Sequence, residues 1–179
     1  MNAVLALNAG SSSLKYALFT PGDPPSRVLD GHFERIRHGG PADHRACTGE
    51  LFERIDASGH TLIGIGHRVV HGGPNYSAPA RITPALTEEL RRLAPFDPEH
   101  LPAALALIDA VGERFPALPQ VACFDTAFHH DLPRVARILP IPRRYEAAGV
   151  RRYGFHGLSY EYLVDELRRR GGVFPSRLV

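Results

Sequence analysis

Cysteine is scarce in this chain of 179 residues. The two present, Cys47 and Cys123, lie far apart and form no C-x-x-C pair, which excludes a disulfide-stapled mini-domain and a paired-thiol redox motif. Cys123 sits in an apolar run and is expected to be a buried thiol. Neither basic nor acidic residues are in marked excess. With 21 basic and 19 acidic residues the formal charge is +2, so charge gives no reason to expect a nucleic-acid or membrane-surface partner. No apolar run is long enough to span a membrane, and the first residues show no basic segment leading into a cleavable apolar one. A cytoplasmic protein is expected. The commoner nucleotide signatures are missing too. There is no G-x-x-x-x-G-K-[ST], no G-x-G-x-x-G between a strand and a helix, and no protein-kinase signature, which argues against Walker-type, dinucleotide-binding and protein-kinase sites. The 44% hydrophobic content is ordinary and allows a useful core. The length suits one medium domain, or a domain with part of another.

What is present begins with Asn8-Ala9-Gly10-Ser11-Ser12-Ser13-Leu14-Lys15. Apolar runs flank it, Val4 to Leu7 before and Tyr16 to Phe19 after, which is a hairpin pattern. Gly10 permits a close backbone approach, successive N–H groups in such a turn can form an anion nest, and Ser11, Ser12, Ser13 and Lys15 add hydroxyls and a cation. The same residues also suit an ordinary hairpin turn, and only the rest of the chain separates the two readings.

Further along, Pro21 to Pro25 breaks the pattern and Val28 to Phe33 reads as a third strand. Arg37 to Glu50 reads as a solvated loop, because His38, His44 and Cys47 fit no common zinc spacing. Only Leu51 to Ile55 remains as a short helix before Thr61 to Val70, a buried strand ending in the turn His71-Gly72-Gly73. Arg68 in that strand reads either as a structural ion pair or as a fork for a carboxylate or phosphate. Thr83-Pro84 and Asp97-Pro98 each open a helix, with the cap in front and proline at the first helical position. Leu86, Leu90 and Leu93 mark the first helix; Leu101, Leu105, Ile108 and Val111 mark the second. Val121 to Phe124 is a short strand delivering Asp125. Val135 to Ile141 is strand-like, Ser159 caps a last helix with Leu163 and Leu167 inward, and Phe174 to Val179 begins another strand. A chain ending in a nascent strand is expected to be a truncated protein.

Four motifs, in order, resemble the acetate kinase family: Asn8 to Lys15, His67-Arg68-Val69-Val70-His71-Gly72-Gly73, Phe124-Asp125-Thr126-Ala127-Phe128-His129, and Arg152-Tyr153-Gly154-Phe155-His156-Gly157. The resemblance runs from Asn2 to the end of the chain and covers the N-terminal part of a family member. It implies an α/β fold of the actin/hexokinase-like (ribonuclease H-like) type with a mixed sheet. Residues 1–128 would form that domain and residues 129–179 the beginning of a second, similar one.

The chemistry implied by the resemblance is phosphoryl transfer from ATP to acetate or another short carboxylate, giving an acyl phosphate and ADP with Mg²⁺ as cofactor. By resemblance Asp125 and His156 are catalytic, His156 donating to the phosphoryl oxygens and Asp125 orienting Arg68 or a metal-bound water. Arg68, Val70, Phe96 and Phe155 bind substrate, Lys15, Ser11 and Ser13 attend the nucleotide phosphates, and Asn8 helps hold Mg²⁺. Family members are homodimers, so the complete protein is expected to be one. Two segments depart from the family: Ala94 to His100 lacks its histidine and places Phe96 where a leucine lines the acyl pocket, and Leu158-Ser159-Tyr160 replaces Thr-Ser-His. Half of a cleft is expected to be inactive alone. The competing readings are a non-catalytic remnant or the partner-binding half of a split kinase, and a butyrate or sugar kinase of the same superfamily.

Overall fold

The computed structural model describes residues 1–171. The strand begun at Phe174 in the sequence reading lies outside them. Six strands form one mixed sheet: β1 (Asn2–Ala9), β2 (Leu14–Thr20), β3 (Ser26–Phe33), β4 (Thr61–Val69), β5 (Ala80–Arg81) and β6 (Gln120–Phe124), in the order β3-β2-β1-β4-β6-β5. Alternating residues account for the hairpin. Ala3, Leu5, Leu7 and Ala9 of β1 and Leu14, Tyr16 and Leu18 of β2 are buried on one face, as period-two patterning requires. In register, Asn8 faces Lys15 across the antiparallel β1–β2 pair. β1, β4 and β6 run parallel, so their carboxyl ends lie side by side.

The helices are α1 (Thr48–Ala57), α2 (Pro84–Leu93), α3 (Leu101–Arg114), α4 (Arg134–Arg137), α5 (Arg143–Ala147) and α6 (Gly157–Arg169). α3 lies between two apolar clusters. Its Ala103, Leu107 and Val111 join Leu5, Leu18 and the α1 residues Leu51 and Ile55. Its Leu101, Leu105 and Ile108 join Val69, Phe124 and the α2 residues Leu86 and Leu90. Burying two stripes of one helix fixes the parallel strands against it and sets where their carboxyl ends project. The Thr83 hydroxyl accepts from the Leu86 N–H at 3.2 Å, the N-cap expected for α2. No helix among the described residues is long and apolar enough to cross a membrane.

Several sequence expectations change. α1 is a ten-residue helix rather than the short Leu51–Ile55 piece. α3 starts at Leu101, not at Pro98, because the Asp97 carboxylate meets His100 Nδ1 at 2.8 Å instead of capping a helix. Val135 to Ile141 is no strand: β5 already covers the edge beside β6, Arg134–Arg137 is helical, and Val135 is exposed. Pro140 and Pro142 supply no N–H for a ladder there. α6 begins at Gly157, with Ser159 inside it and His156 at its N-cap position. Leu163 and Leu167 do not face inward; both are about half exposed, at 50% and 46%. The loop before α1 is not uniformly solvated either. His44 and Cys47 are buried, while Cys123 is half-buried.

Candidate active site

β1, β4 and β6 each deliver one polar side chain near their carboxyl ends, where open α/β sheets bind ligands. They are Asn8, Arg68 and Asp125. Leu7 and His67 pair in register and are buried toward the helices, so Asn8 and Arg68, one residue on, emerge on the opposite face. Asp125 follows Phe124 and is tied back by its N–H to the Val69 carbonyl at 3.0 Å.

The three side chains form one hydrogen-bonded chain. Arg68 Nε and Nη2 donate to Asp125 Oδ2 at 3.0 and 2.5 Å, and Nη1 donates to Asn8 Oδ1 at 3.0 Å. The Asp125 side chain is 2% exposed and that of Arg68 25%. A guanidinium has five N–H donors; with three engaged, two remain. The arrangement therefore holds a cation rigidly from behind and leaves it two donors for an incoming anion. A cavity of about 560 Å³ opens beside it, lined by Asn8, Lys15, Arg68, Gly31, Gly66 and Leu158 among others.

Gly157 ties the turn that carries His156 to Asp125, although the His156 side chain does not line the cavity. The Gly157 N–H donates to the Asp125 carbonyl at 3.0 Å, and a Cβ on Gly157 would lie 2.2 Å from that same oxygen. Only glycine permits this approach. His156 is exposed, with φ +61°, a left-handed conformation uncommon for a residue with a side chain. Its segment is held from both sides. His129 Nε2 donates to the Phe155 carbonyl at 3.1 Å, and the His71 ring lies 4.5 Å from Tyr153 and 5.8 Å from Phe155. His71 Nδ1 accepts from the Gly73 N–H at 2.8 Å, and burial lowers the His71 pKa. The HGG turn and the Gly154–Gly157 turn are thereby brought together.

The remaining candidates are distributed less tightly. Lys15 lines the cavity and is exposed; Ser11 is exposed and Ser13 half-buried at the turn before it. Val70 is half-buried at the end of β4. Phe96 stands 79% exposed on a 3-10 turn, Ala94–Phe96, and does not line the cavity. His67, beside Arg68, is buried and bonds Gln120 Oε1 at 2.8 Å through Nε2. Burial pulls its pKa down to about 4, so it is a neutral spacer at ordinary pH. Burial likewise raises both thiols, Cys47 and Cys123, which keeps them protonated and unreactive.

The donor set does not build a divalent-cation cage. Its hard oxygens are Asn8 Oδ1, already accepting from Arg68, and the Asp125 carboxylate, whose Oδ2 is taken by the same guanidinium. No group of three His, Cys, Asp or Glu residues with ligand geometry occurs among the described residues.

The pattern described as the Acetokinase family matches residues 37–170. An acetate kinase of Rhodopseudomonas palustris is 38% identical over 190 residues, covering 93% of this chain and 48% of the relative. One of Deinococcus radiodurans is 41% identical, covering 89% of this chain and 45% of the relative. Among solved structures, a propionate kinase from Francisella tularensis superposes with a TM-score of 0.85 at 31% identity, covering 95% of this chain and 49% of that one. An acetate kinase from Porphyromonas gingivalis does so with a TM-score of 0.82 at 29% identity, again over 95% of this chain and 49% of that one. The mixed sheet is thus of the actin/hexokinase-like type. The chain spans about half the length of these relatives.

Proposed function

The chain belongs to the acetokinase family, and from that premise we propose that it forms the carboxylate-binding wall of a phosphotransferase making acyl phosphate and ADP from ATP and acetate or a similar short carboxylate. The observation that carries this reading is the Arg68 guanidinium, fixed by Asp125 and Asn8 with two donors left over. A short carboxylate is a planar acceptor pair, and a guanidinium already held from behind receives it with less side-chain ordering than a free one.

In this reading a carboxylate oxygen attacks the γ-phosphorus, the bond to the β-phosphate oxygen breaks, and ADP leaves with that electron pair. The nucleophile has no proton to lose at neutral pH, so Asp125 acts by orienting Arg68 rather than as a base. Catalysis is then positioning and charge stabilisation. Arg68 holds the carboxylate, with Val70 and Phe155 beside it, and His156 donates an N–H to the equatorial phosphoryl oxygens. Lys15, Ser11 and Ser13 attend the nucleotide phosphates. Mg²⁺ bound with the nucleotide would neutralise phosphate charge; of the residues present only Asn8 would help hold it, directly or through water, beside its bond to Arg68. Phe96 acts only if the full-length cleft folds over it, and then narrows the acyl pocket.

Residues 1–128 constitute the first domain in this reading, and 129–179 start a second, similar one. The complete protein is a cytoplasmic homodimer without nucleic-acid or membrane partners. Because the chain spans half of its relatives, the second wall of the cleft is required and the chain alone is inactive. The test is acyl phosphate formation from ATP, Mg²⁺ and acetate, trapped as hydroxamate, by the chain alone and joined to the C-terminal half of the Deinococcus radiodurans acetate kinase. Activity only in the joined protein supports the reading. A folded joined protein with no activity on acetate, propionate or butyrate overturns it and favours a non-catalytic binding role.

A further inference from the structure

The turn between β1 and β2 omits one bond of a tight hairpin. The Gly10 N–H donates to the Ser13 carbonyl at 2.8 Å, but among the described residues the Ser13 N–H makes no return bond to the Gly10 carbonyl. That carbonyl is held by His44 instead. His44 Nε2 lies 2.7 Å from the Gly10 carbonyl oxygen and 3.3 Å from that of Ser13. Both neighbours are acceptors, so Nε2 carries the proton and donates.

His44 comes from the loop between β3 and α1 and is 1% exposed. Its other ring nitrogen, Nδ1, is buried with no hydrogen-bond partner. An imidazole with one nitrogen unsatisfied is a costly core filler, since a buried polar atom without a partner costs more than an aliphatic side chain of similar size. What offsets that cost at this position is the pair of carbonyls that Nε2 holds. The same loop grips the turn a second time: the N–H of the fully buried Ile36 donates to the Ser12 carbonyl at 3.0 Å. The carbonyls of residues 10, 12 and 13 are thus all held from the protein side.

We infer that His44 is a positioning residue for the phosphate turn: by taking the Gly10 carbonyl it keeps the Ser13 N–H out of a closing hairpin bond and leaves the N–H groups of Ser11, Ser12 and Ser13 to converge on phosphate oxygens. Backbone N–H groups arranged in this way form an anion nest. The inference rests on the proposed phosphate-binding role of this turn and adds the residue that shapes it. His44 touches no substrate in this arrangement; it acts through the backbone of Gly10.

The test compares the chain with His44→Leu, which fills the space and removes the donor, and His44→Gln, whose side-chain amide restores a donor near the Nε2 position. Two readouts are taken by NMR: hydrogen exchange of the Ser13 amide in the free protein, and shifts of the Ser11–Ser13 amides during titration with inorganic tripolyphosphate. In His44→Leu the Ser13 amide is expected to become protected and tripolyphosphate to bind about tenfold more weakly, the loss expected for one misplaced charge-assisted hydrogen bond. His44→Gln is expected to recover most of both at a thermal stability no higher than that of His44→Leu. A wild-type chain that gives no shifts with tripolyphosphate overturns the phosphate reading and this role of His44 with it. Wild-type shifts that persist unchanged in His44→Leu, or a Gln variant that rescues stability but not binding, overturn the role of His44 alone.

Discussion

Arg68 rests on Asp125 through a one-sided grip in which Nε and Nη2 both donate to Oδ2, at 3.0 and 2.5 Å. The carboxylate is almost wholly buried and the guanidinium is a quarter exposed. The pair is therefore asymmetric. Asp125 depends on Arg68 for its neutralisation, whereas Arg68 reaches water and Asn8 as well. Such a pair costs desolvation and is better understood as fixing a cation in place than as a source of stability.

Asp125→Asn keeps the shape and one acceptor oxygen but removes the charge that fixes Arg68. Asp125→Ala removes both and leaves the guanidinium without its backing. Because Arg68 can turn to solvent, the expected loss for Asp125→Ala is about 2 kcal/mol, below the range for a fully buried pair, read from urea unfolding midpoints of the chain. In the joined, active protein Asp125→Asn is expected to lower kcat/KM for acetate by about 100-fold, mostly through KM. Near-normal turnover in Asp125→Asn shows that the carboxylate is not needed to orient Arg68.

Arg68→Lys preserves the charge but not the fork. A lysine has three donors on one point, so it cannot hold Asp125 and Asn8 and still present a parallel pair to a carboxylate. The expectation is a KM for acetate raised about 100-fold, the equivalent of one lost charge-assisted bidentate contact, while the KM for ATP changes by less than about threefold. Equal losses for both substrates place Arg68 on the nucleotide side instead.

Gly10 and Gly157 separate two uses of glycine. A Cβ on Gly10 would lie 2.8 Å from Ser13 Oγ, the far end of a side chain that can rotate away. A Cβ on Gly157 would lie 2.2 Å from the Asp125 carbonyl and 2.6 Å from Phe128 Cβ, neither of which can move cheaply. Gly157→Ala is expected to cost about 2 kcal/mol or more, as overpacking does, and to break the Gly157 N–H bond to the Asp125 carbonyl that anchors the turn carrying His156. Gly10→Ala is expected to cost under about 1 kcal/mol. Thermal unfolding of the two variants checks the order, and equal melting temperatures contradict it.

Much of this architecture was legible because local rules and tertiary packing agree. Leu5, Leu7, Leu14 and Leu18 alternate as strand residues and are buried in that phase; Thr83 announces α2 and caps it. The strand-like run Val135–Ile141 was misread because an apolar run does not reveal whether a sheet edge is free, and here β5 occupies it. The stripe Leu163 and Leu167 has helical spacing but lies half exposed, since period states which face is apolar and not what covers it. In the site, Arg68 and Asp125 were visible as residues at strand ends. That Asp125 orients Arg68 was one of two expectations from the resemblance, a metal-bound water being the other. Residue pattern alone could not choose, because the contact depends on the register of β4 on β6. His44 carried no signal: a histidine in a polar loop looks solvated, and its burial follows from the loop folding back over the Gly10–Ser13 turn.

His67 gives the fold a pH dependence whose sign follows from its burial. Its pKa falls from the ordinary 6.5 to about 4 because desolvation disfavours the imidazolium, outweighing the bond to Gln120. The unfolded chain therefore takes up a proton as pH drops through 6.5, and the folded chain does so only near 4. Above pH 6.5 the contribution is fully present; between 6.5 and 4 it is lost at up to about 1.4 kcal/mol per pH unit; below 4 it is gone. From pH 7 to pH 5 the stability is expected to fall by about 2 kcal/mol from this group. His71, also lowered by burial, acts in the same direction, so the comparison must isolate His67. His67→Gln retains a hydrogen-bonding partner for Gln120 and cannot titrate. Urea unfolding midpoints of the two proteins, taken between pH 7 and pH 5, should converge as pH falls, with the variant the less pH-sensitive. Parallel curves would show that His67 is accessible to protons in the folded state and that the strand end carrying Arg68 opens to water.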